Sequence, residues 1–251
     1  MKLKHLLLVA CFSFTLTSFA MAESTTDLLL KSTNAYQNGN YTQAVKLSER
    51  LCNSGEAVGC GNLGLLYSTG RGVQQNYFQA AKFYEQACNG GYAVSCYNLG
   101  VLYGNGQGVT KDYTQSAKFI EQACHGGVPV ACSNLGLLYN NGKGVKRNYV
   151  QAAKLYEQAC HGGVPVACSN LGLLYKHGKG VKQNYVQAAK LYEQACYGDF
   201  AGGCYNLGVL YYKGQGKRQD RSVAKEYFGK ACDLGDQKGC DWYKKLNARR
   251  Y

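Results

Sequence analysis

Apolar residues recur along the chain in two alternating helical registers, and the alternation repeats every 36 residues from Tyr41 onward. In the segment 89–124, Val94, Leu99, Leu102 and Tyr103 form one helix-spaced set, and Ala117, Phe119, Ile120 and Ala123 form a second. Gly106-Gln107-Gly108-Val109 separates the two sets, and Gly126-Gly127 closes the second. Each unit therefore predicts two antiparallel helices, A then B, each of about twelve residues or ~18 Å. Stacked units of this period predict an all-α, right-handed α/α solenoid. The expected helix pairs fall at 25–52, 56–88, 92–124, 128–160, 164–196 and 200–232, with a C-terminal capping helix at 237–251, all within one domain spanning 23–251.

The units are close copies. Residues 125–160 and 161–196 differ only at Asn140/Lys176, Asn141/His177 and Arg147/Gln183. Gly100 and its copies Gly64, Gly136, Gly172 and Gly208 sit in mid-helix, where glycine costs about 1 kcal/mol relative to alanine. Their recurrence predicts a close crossing of helix B over helix A, and Ala123 with its copies Ala87, Ala159, Ala195 and Ala231 is expected at the neighbouring contact. Pro129 and Pro165, the only prolines, fall at the start of helix A, where a missing N–H is harmless. Residues 25–52 turn instead through Asn38-Gly39-Asn40, as an N-terminal cap, and Trp242 marks the C-terminal one.

Twelve of the 13 cysteines obey the same ruler, as Cys52/Cys60, Cys88/Cys96, Cys124/Cys132, Cys160/Cys168, Cys196/Cys204 and Cys232/Cys240. Each pair spans a B-to-A joint, so six disulfides are expected, each closing a short loop. Zinc, the competing use of paired cysteines, takes ligands two to four residues apart, and no metal or other cofactor is expected. Export fits this reading. Met1 to Lys4 is basic, Leu6 to Phe19 largely apolar, and Ala20-Met21-Ala22 has the form of a signal-peptidase site. The protein is expected to be secreted or periplasmic after cleavage following Ala22. Lipid attachment through Leu8-Val9-Ala10-Cys11 is the alternative. No membrane-spanning segment is expected. The formal net charge is +13, of which Lys2 and Lys4 supply two. A basic exported chain without a reader motif points away from nucleic acid and toward anionic envelope or host surfaces, or simply a solvated surface.

The unit pattern A/C-x-N-L-G-x-L-Y-x-x-G-x-G-V…A-x-x-x-x-x-x-A/C resembles the Sel-like subclass of tetratricopeptide-type repeats. With paired cysteines and a signal peptide, it resembles the Helicobacter cysteine-rich proteins over nearly the whole mature chain. That resemblance implies a secreted protein that binds penicillin, hydrolyses β-lactams slowly, and acts in peptidoglycan metabolism or host immune responses.

The residues themselves offer little catalytic machinery. Serine β-lactamases carry S-x-x-K, S-D-N and K-T-G. Here Ser222-Val223-Ala224-Lys225 matches the first alone, and Ser222 occupies the repeat position of Val150 and Val186. Ser222 and Lys225 are therefore weak catalytic candidates. His125, His161 and His177 form no zinc set. Gly142-Lys143-Gly144 and Gly178-Lys179-Gly180 read as inter-helix turns rather than phosphate cradles. Lys46, Lys82, Lys118, Lys154 and Lys190, each three residues before a glutamate, are expected to form surface pairs.

A ladder of amides is the stronger candidate. Asn62, Asn98, Asn134, Asn170 and Asn206 each follow the second cysteine by two residues. By resemblance helix A lines the concave face, and an amide both donates to and accepts from a peptide backbone. Hydrogen bonding between neighbouring repeats is the competing role. Tyr97 and Tyr205, beside the ladder, are expected to add stacking area. The ligands expected are β-lactams, peptidoglycan stem peptides, or extended peptides of a host or envelope protein, bound by a monomer. A non-catalytic peptide- or host-protein-binding scaffold is the alternative to an enzyme.

Overall fold

The computed structural model describes residues 24–248; the expected signal peptide and residues 249–251 lie outside the described residues. Thirteen helices follow one another: α1 (Thr25–Gln37), α2 (Tyr41–Asn53), α3 (Ala57–Thr69), α4 (Tyr77–Asn89), α5 (Ala93–Asn105), α6 (Tyr113–His125), α7 (Pro129–Asn141), α8 (Tyr149–His161), α9 (Pro165–His177), α10 (Tyr185–Tyr197), α11 (Ala201–Lys213), α12 (Arg221–Asp233) and α13 (Gln237–Asn247). They form an α/α solenoid, with odd-numbered A helices and even-numbered B helices packed in chain order. Within the described residues the last helix runs to Asn247, with Ala248 as its C-cap. No helix among the described residues is long and apolar enough to cross a membrane.

The two helix types begin differently. Every B helix is capped by an asparagine or aspartate (Asn40, Asn76, Asp112, Asn148, Asn184 and Asp220) whose side chain accepts a backbone N–H in the first turn. The A helices α3 to α11 have no such side-chain bond; α7 and α9 start on Pro129 and Pro165 instead. The A-to-B loop is closed by a backbone bond from the cap to the last-turn tyrosine of helix A, as from Asn148 N–H to Tyr139 O at 2.9 Å.

The small residues set how closely helices approach. A Cβ placed on Gly100 would lie 2.6 Å from Ile120 Cγ1, and one on Gly172 2.7 Å from Tyr192 Cε1, so helix B does cross helix A at this position. Ala195 and Ala231, fully buried, meet Gly203 and Gly239 of the following A helix in the same way.

A disulfide closes each B-to-A joint, in the pairing that the spacing predicts. Cys52 is bonded to Cys60 between α2 and α3, Cys88 to Cys96 between α4 and α5, and Cys124 to Cys132 between α6 and α7. Cys160 is bonded to Cys168 between α8 and α9, Cys196 to Cys204 between α10 and α11, and Cys232 to Cys240 between α12 and α13. The paired Cα atoms lie 4.5–4.7 Å apart. Each joint is also tied by backbone bonds such as Val128 N–H to Ala123 O at 3.0 Å. Six disulfides indicate an oxidising, extracytoplasmic environment.

The ends are closed by different means. At the C-terminal end Trp242 stacks on Phe228 (5.5 Å between ring centres) and leans on Tyr212, while Leu246 is buried. At the N-terminal end Ser32 and Ser48 share a buried hydrogen bond of 2.9 Å between α1 and α2. Ser95 Oγ and Tyr192 Oη are the exceptions to a satisfied core among the described residues, and Tyr192 is the larger of the two residues. Its hydroxyl is buried without a hydrogen-bond partner among the described residues, and burial pushes it well above the ordinary phenol value. Tyr84, at the same repeat position, shares a hydrogen bond with Ser68 Oγ at 3.1 Å. Because Phe228 also fills this repeat position, Tyr192→Phe should fit, and removing the orphan hydroxyl should stabilise the fold by about 1 kcal/mol. Tyr84→Phe should destabilise it by a similar amount. Paired thermal melts check this, and a lowered midpoint for Tyr192→Phe would contradict it.

The expected Lys–Glu pairs on helix B do not form. None of the five closes to ion-pair distance among the described residues; Lys82 Nζ lies instead over the Phe78 ring at 4.5 Å, and Glu193 takes Lys217 of the following repeat at 3.9 Å. Lysine precedes glutamate at each site, which is the weaker of the two orientations along a helix.

Candidate functional site

Successive A helices touch, α3 with α5 and α9 with α11, while no two successive B helices make comparable contact. The stack therefore curves with the A helices inward. All five ladder asparagines are half-buried on this series of helices. Residues at spacing 3 to 4 share a helix face, so Leu65, Val101, Leu137, Leu173 and Val209 run beside them, each three residues later. These aliphatic side chains are half-buried, except Leu137, which is exposed. Val94, Val130 and Val166, four residues before their asparagines, are exposed as well. The inner face is thus a stripe of amides bordered by aliphatic rungs.

Clefts between the helices bring the rungs together. Asn62, Leu65 and Leu66 line one with Ser32, Tyr36 and Ser48. Asn98, Val101 and Leu102 line a second with Leu65, Ser68 and Tyr84. A third, of about 260 Å³, is lined by Leu137, Asn140, Tyr156, Asn170, Leu173, Leu174, His177 and Lys179. The same register recurs in each, so the clefts form a series along one groove.

The cysteines stand behind this face rather than on it. Cys60, Cys96, Cys132, Cys168 and Cys204 are buried in the first turns of their A helices, two residues before the ladder asparagines, and Cys240 is half-buried two residues before Trp242. None of them lines the three clefts, and each sulfur is taken up in its disulfide. They fix where each A helix starts, and so the height at which its asparagine enters the groove, without supplying a thiol for chemistry.

The amides are partly engaged within the protein. Asn134 Nδ2 donates to Tyr97 Oη at 2.9 Å, linking neighbouring repeats, and Asn98 shares a cleft with the Tyr84 hydroxyl, whose hydrogen bond goes to Ser68. Asn62, Asn170 and Asn206 make no side-chain hydrogen bond to another described residue. Inter-repeat bonding therefore uses part of the ladder and leaves donors and acceptors over. The expected stacking platforms are not free: Tyr97 serves Asn134, and Tyr205 packs against Phe228 at 5.7 Å between ring centres.

The catalytic candidates lie elsewhere. Ser222 is exposed in the first turn of α12, with its backbone N–H donating to Asp220 Oδ1 at 2.9 Å, and neither it nor Lys225 lines any of these clefts. Within the groove, the hydroxyl of Ser68 meets Tyr84, whose phenol is raised by burial and so stays protonated at neutral pH. A protonated phenol is no general base for that serine. His125 and His161 end α6 and α8 as exposed residues. No cluster of His, Cys, Asp and Glu that could hold a metal occurs among the described residues.

Sequence reasoning overlooked two features. One is the N-cap series, signalled by Asn or Asp immediately before the residue that opens each B helix. The other is the aliphatic rung beside each ladder asparagine, signalled by the constant spacing of three.

The relatives agree with this architecture. The Sel1 repeat model matches residues 57–92, 93–128, 129–164, 165–200 and 201–236. The chain is 33% identical over 76 residues to HcpE of Helicobacter pylori, a protein provisionally named a beta-lactamase; the match spans 30% of this chain and 21% of HcpE. This accords with the likeness to the Helicobacter cysteine-rich proteins carried by the cysteine pairs. A protective antigen of uropathogenic Escherichia coli with an SLR fold superposes with a TM-score of 0.82 at 28% identity, over 90% of this chain and 54% of the antigen. A Sel1 repeat protein from Oxalobacter formigenes superposes with a TM-score of 0.80 at 26% identity, over 83% of this chain and 86% of the other. With its matched units covering most of its length, the chain belongs to the Sel1 repeat family.

Proposed function

We propose that the inner groove binds an extended, peptide-like ligand, with the asparagine ladder holding the backbone and the aliphatic rungs covering its side chains. The supporting observation is the placement of Asn62, Asn98 and Asn170 in three clefts of the same register, each beside its aliphatic neighbour. An extended strand offers a donor and an acceptor at every residue, which an amide can meet without reading sequence. Peptidoglycan stem peptides are the first class to test in a protein of the envelope or its surroundings. The likeness to HcpE extends the test to β-lactams, which present a strained amide of similar shape. Slow hydrolysis of such a ligand would draw on groove amides polarising the lactam carbonyl rather than on Ser222.

Changing Asn98, Asn134 and Asn170 together to Ala should weaken muropeptide and penicillin binding about ten-fold or more, since each lost backbone bond is worth roughly 0.5–1.5 kcal/mol. Ser222→Ala should leave binding and nitrocefin turnover at the wild-type level. Equilibrium competition between muropeptide and penicillin on purified protein decides the matter. Independent binding of the two, or full affinity in the triple variant, would remove the groove from consideration.

A further inference from the structure

The two near-identical repeats provide an internal comparison. Of their three differences, Asn140/Lys176 and Asn141/His177 fall at the C-terminal end of helix A, in α7 and α9. Asn141 and His177 follow their ladder asparagines by seven residues, two turns on and on the same side of the helix, while Asn140 and Lys176, six residues on, stand about 120° round toward the neighbouring repeat. Asn140 and His177 accordingly line one cleft together with Asn170 and Lys179. Along the whole array the first position reads Ser68, Gly104, Asn140, Lys176, Tyr212, and the second Thr69, Asn105, Asn141, His177, Lys213. The amide is constant and the end of the same helix varies. Backbone holding and side-chain selection are divided in this way when an extended peptide is recognised through its main chain.

The variation is also directional in charge. The first three steps are neutral, and positive charge gathers around the end of α9. Lys176 is half-buried, and burial together with the charge of Lys213 holds it below the ordinary lysine value. Partial desolvation and the charges of Lys176 and Lys179 lower His177. Lys179 rests over the Tyr149 ring at 5.5 Å. No carboxylate among the described residues comes to ion-pair distance of these four, whereas Lys217 reaches Glu193 at 3.9 Å and Lys230 reaches Asp199 at 3.6 Å. The lysines gathered beside the cleft repel one another, and an anion entering the cleft relieves that repulsion, while His177, lowered and so neutral at neutral pH, offers an N–H donor.

We infer that the groove around the end of α9 is a subsite for an acidic residue of the bound peptide, its side-chain carboxylate taken by His177 and Lys179 in the cleft, with Lys176 and Lys213 adding positive charge beside it, while Asn140 and Asn170 hold the adjoining backbone. This rests on the groove reading above and adds a ligand class and a direction to it: the acidic residue lies toward the C-terminal repeats.

The test uses two octapeptides with blocked termini, acetyl-(Ala-Glu)4-amide and its Gln counterpart, titrated calorimetrically into the mature protein. Blocking the ends leaves side-chain carboxylates as the only anions. The acidic peptide is expected to bind about ten-fold tighter than the Gln peptide, a difference of ~1.4 kcal/mol. K176N/H177N restores the residues that the sister repeat already carries, so folding is preserved; it should reduce the preference to within about two-fold. Lys154→Asn removes an exposed cation from helix B and should leave the preference intact. Equal binding of the two peptides to the wild type overturns the subsite and leaves the groove standing. A preference unchanged in K176N/H177N assigns it to overall positive charge and overturns the subsite too. Failure of both peptides to bind overturns the groove reading and the subsite with it.

Discussion

Gly144→Ala should lower the melting temperature far more than Gly127→Ala, although both glycines have left-handed backbone angles, at φ +70° and +82°. An L-residue in that conformation costs roughly 1–2 kcal/mol, and this is all that Gly127→Ala should lose, because a Cβ there meets nothing within 4 Å. At Gly144 the new Cβ would overlap the carbonyl of Tyr113, the first residue of α6 in the preceding repeat. A backbone atom at the start of a helix cannot rotate away. The loop must instead lift from the neighbouring repeat, and the loss should exceed about 3 kcal/mol, in the range reserved for strain and core disruption. In a protein of this size each kcal/mol shifts the midpoint by about 2–4 °C, so the two variants should differ by several degrees. Gly72, Gly108, Gly180 and Gly216 make the same contact on Tyr41, Tyr77, Tyr149 and Tyr185. The G-x-G segment is thus a seat for repeat stacking as well as a turn. Equal melting temperatures for Gly127→Ala and Gly144→Ala would refute this.

That second role shows where sequence reading stops. Alternating apolar sets and glycine punctuation were enough to place thirteen helices and six cysteine joints, because helical period and turn chemistry are local properties. Gly144 against Tyr113 is a contact between atoms 31 positions apart in the sequence, and spacing carries no sign of it. The groove was legible in the same partial way. The ladder stood out because its period is the repeat period, yet its partition between Tyr97 and open space depends on how far the repeats rotate as they stack. Tyr205 was misjudged for the same reason: on helix spacing it sits beside Asn206, but the Phe228 ring lies close enough to claim it. The N-cap series was fully local and could have been read, since Asn or Asp precedes the opening residue of every B helix. The two asparagine series differ in their use, one consumed by helix ends and one left partly open on the inner face. Repetition alone could not tell them apart.

Removal of a central disulfide by the pair Cys124→Ala and Cys132→Ala should lower stability by about 2.5 kcal/mol, the chain entropy of so short a closed loop. The native joint should survive, because Val128 N–H to Ala123 O and Gly127 N–H to Cys124 O still tie α6 to α7. The loss then resides in the unfolded chain, and peptide affinity at 25 °C should be unchanged within about two-fold. Position along the array should matter as well. Repeats contact only their neighbours, so weakening a central joint lets the two halves unfold separately. The same change at Cys52 and Cys60, which join α2 to α3 near one end, should leave a single transition. Reduction of all six links, each worth a similar amount, removes a quantity comparable to the whole stability of an ordinary domain, about 5–15 kcal/mol, and should unfold the protein below 37 °C. Circular dichroism melts with and without reductant, beside a binding titration for the Cys124/Cys132 pair, separate stapling from groove shape. A reduced protein that melts within a few degrees of the oxidised one would show that the packing of Ala, Gly and Tyr between repeats suffices by itself. A pair variant that keeps its melting temperature but loses its ligand would place the disulfide in the groove's geometry instead.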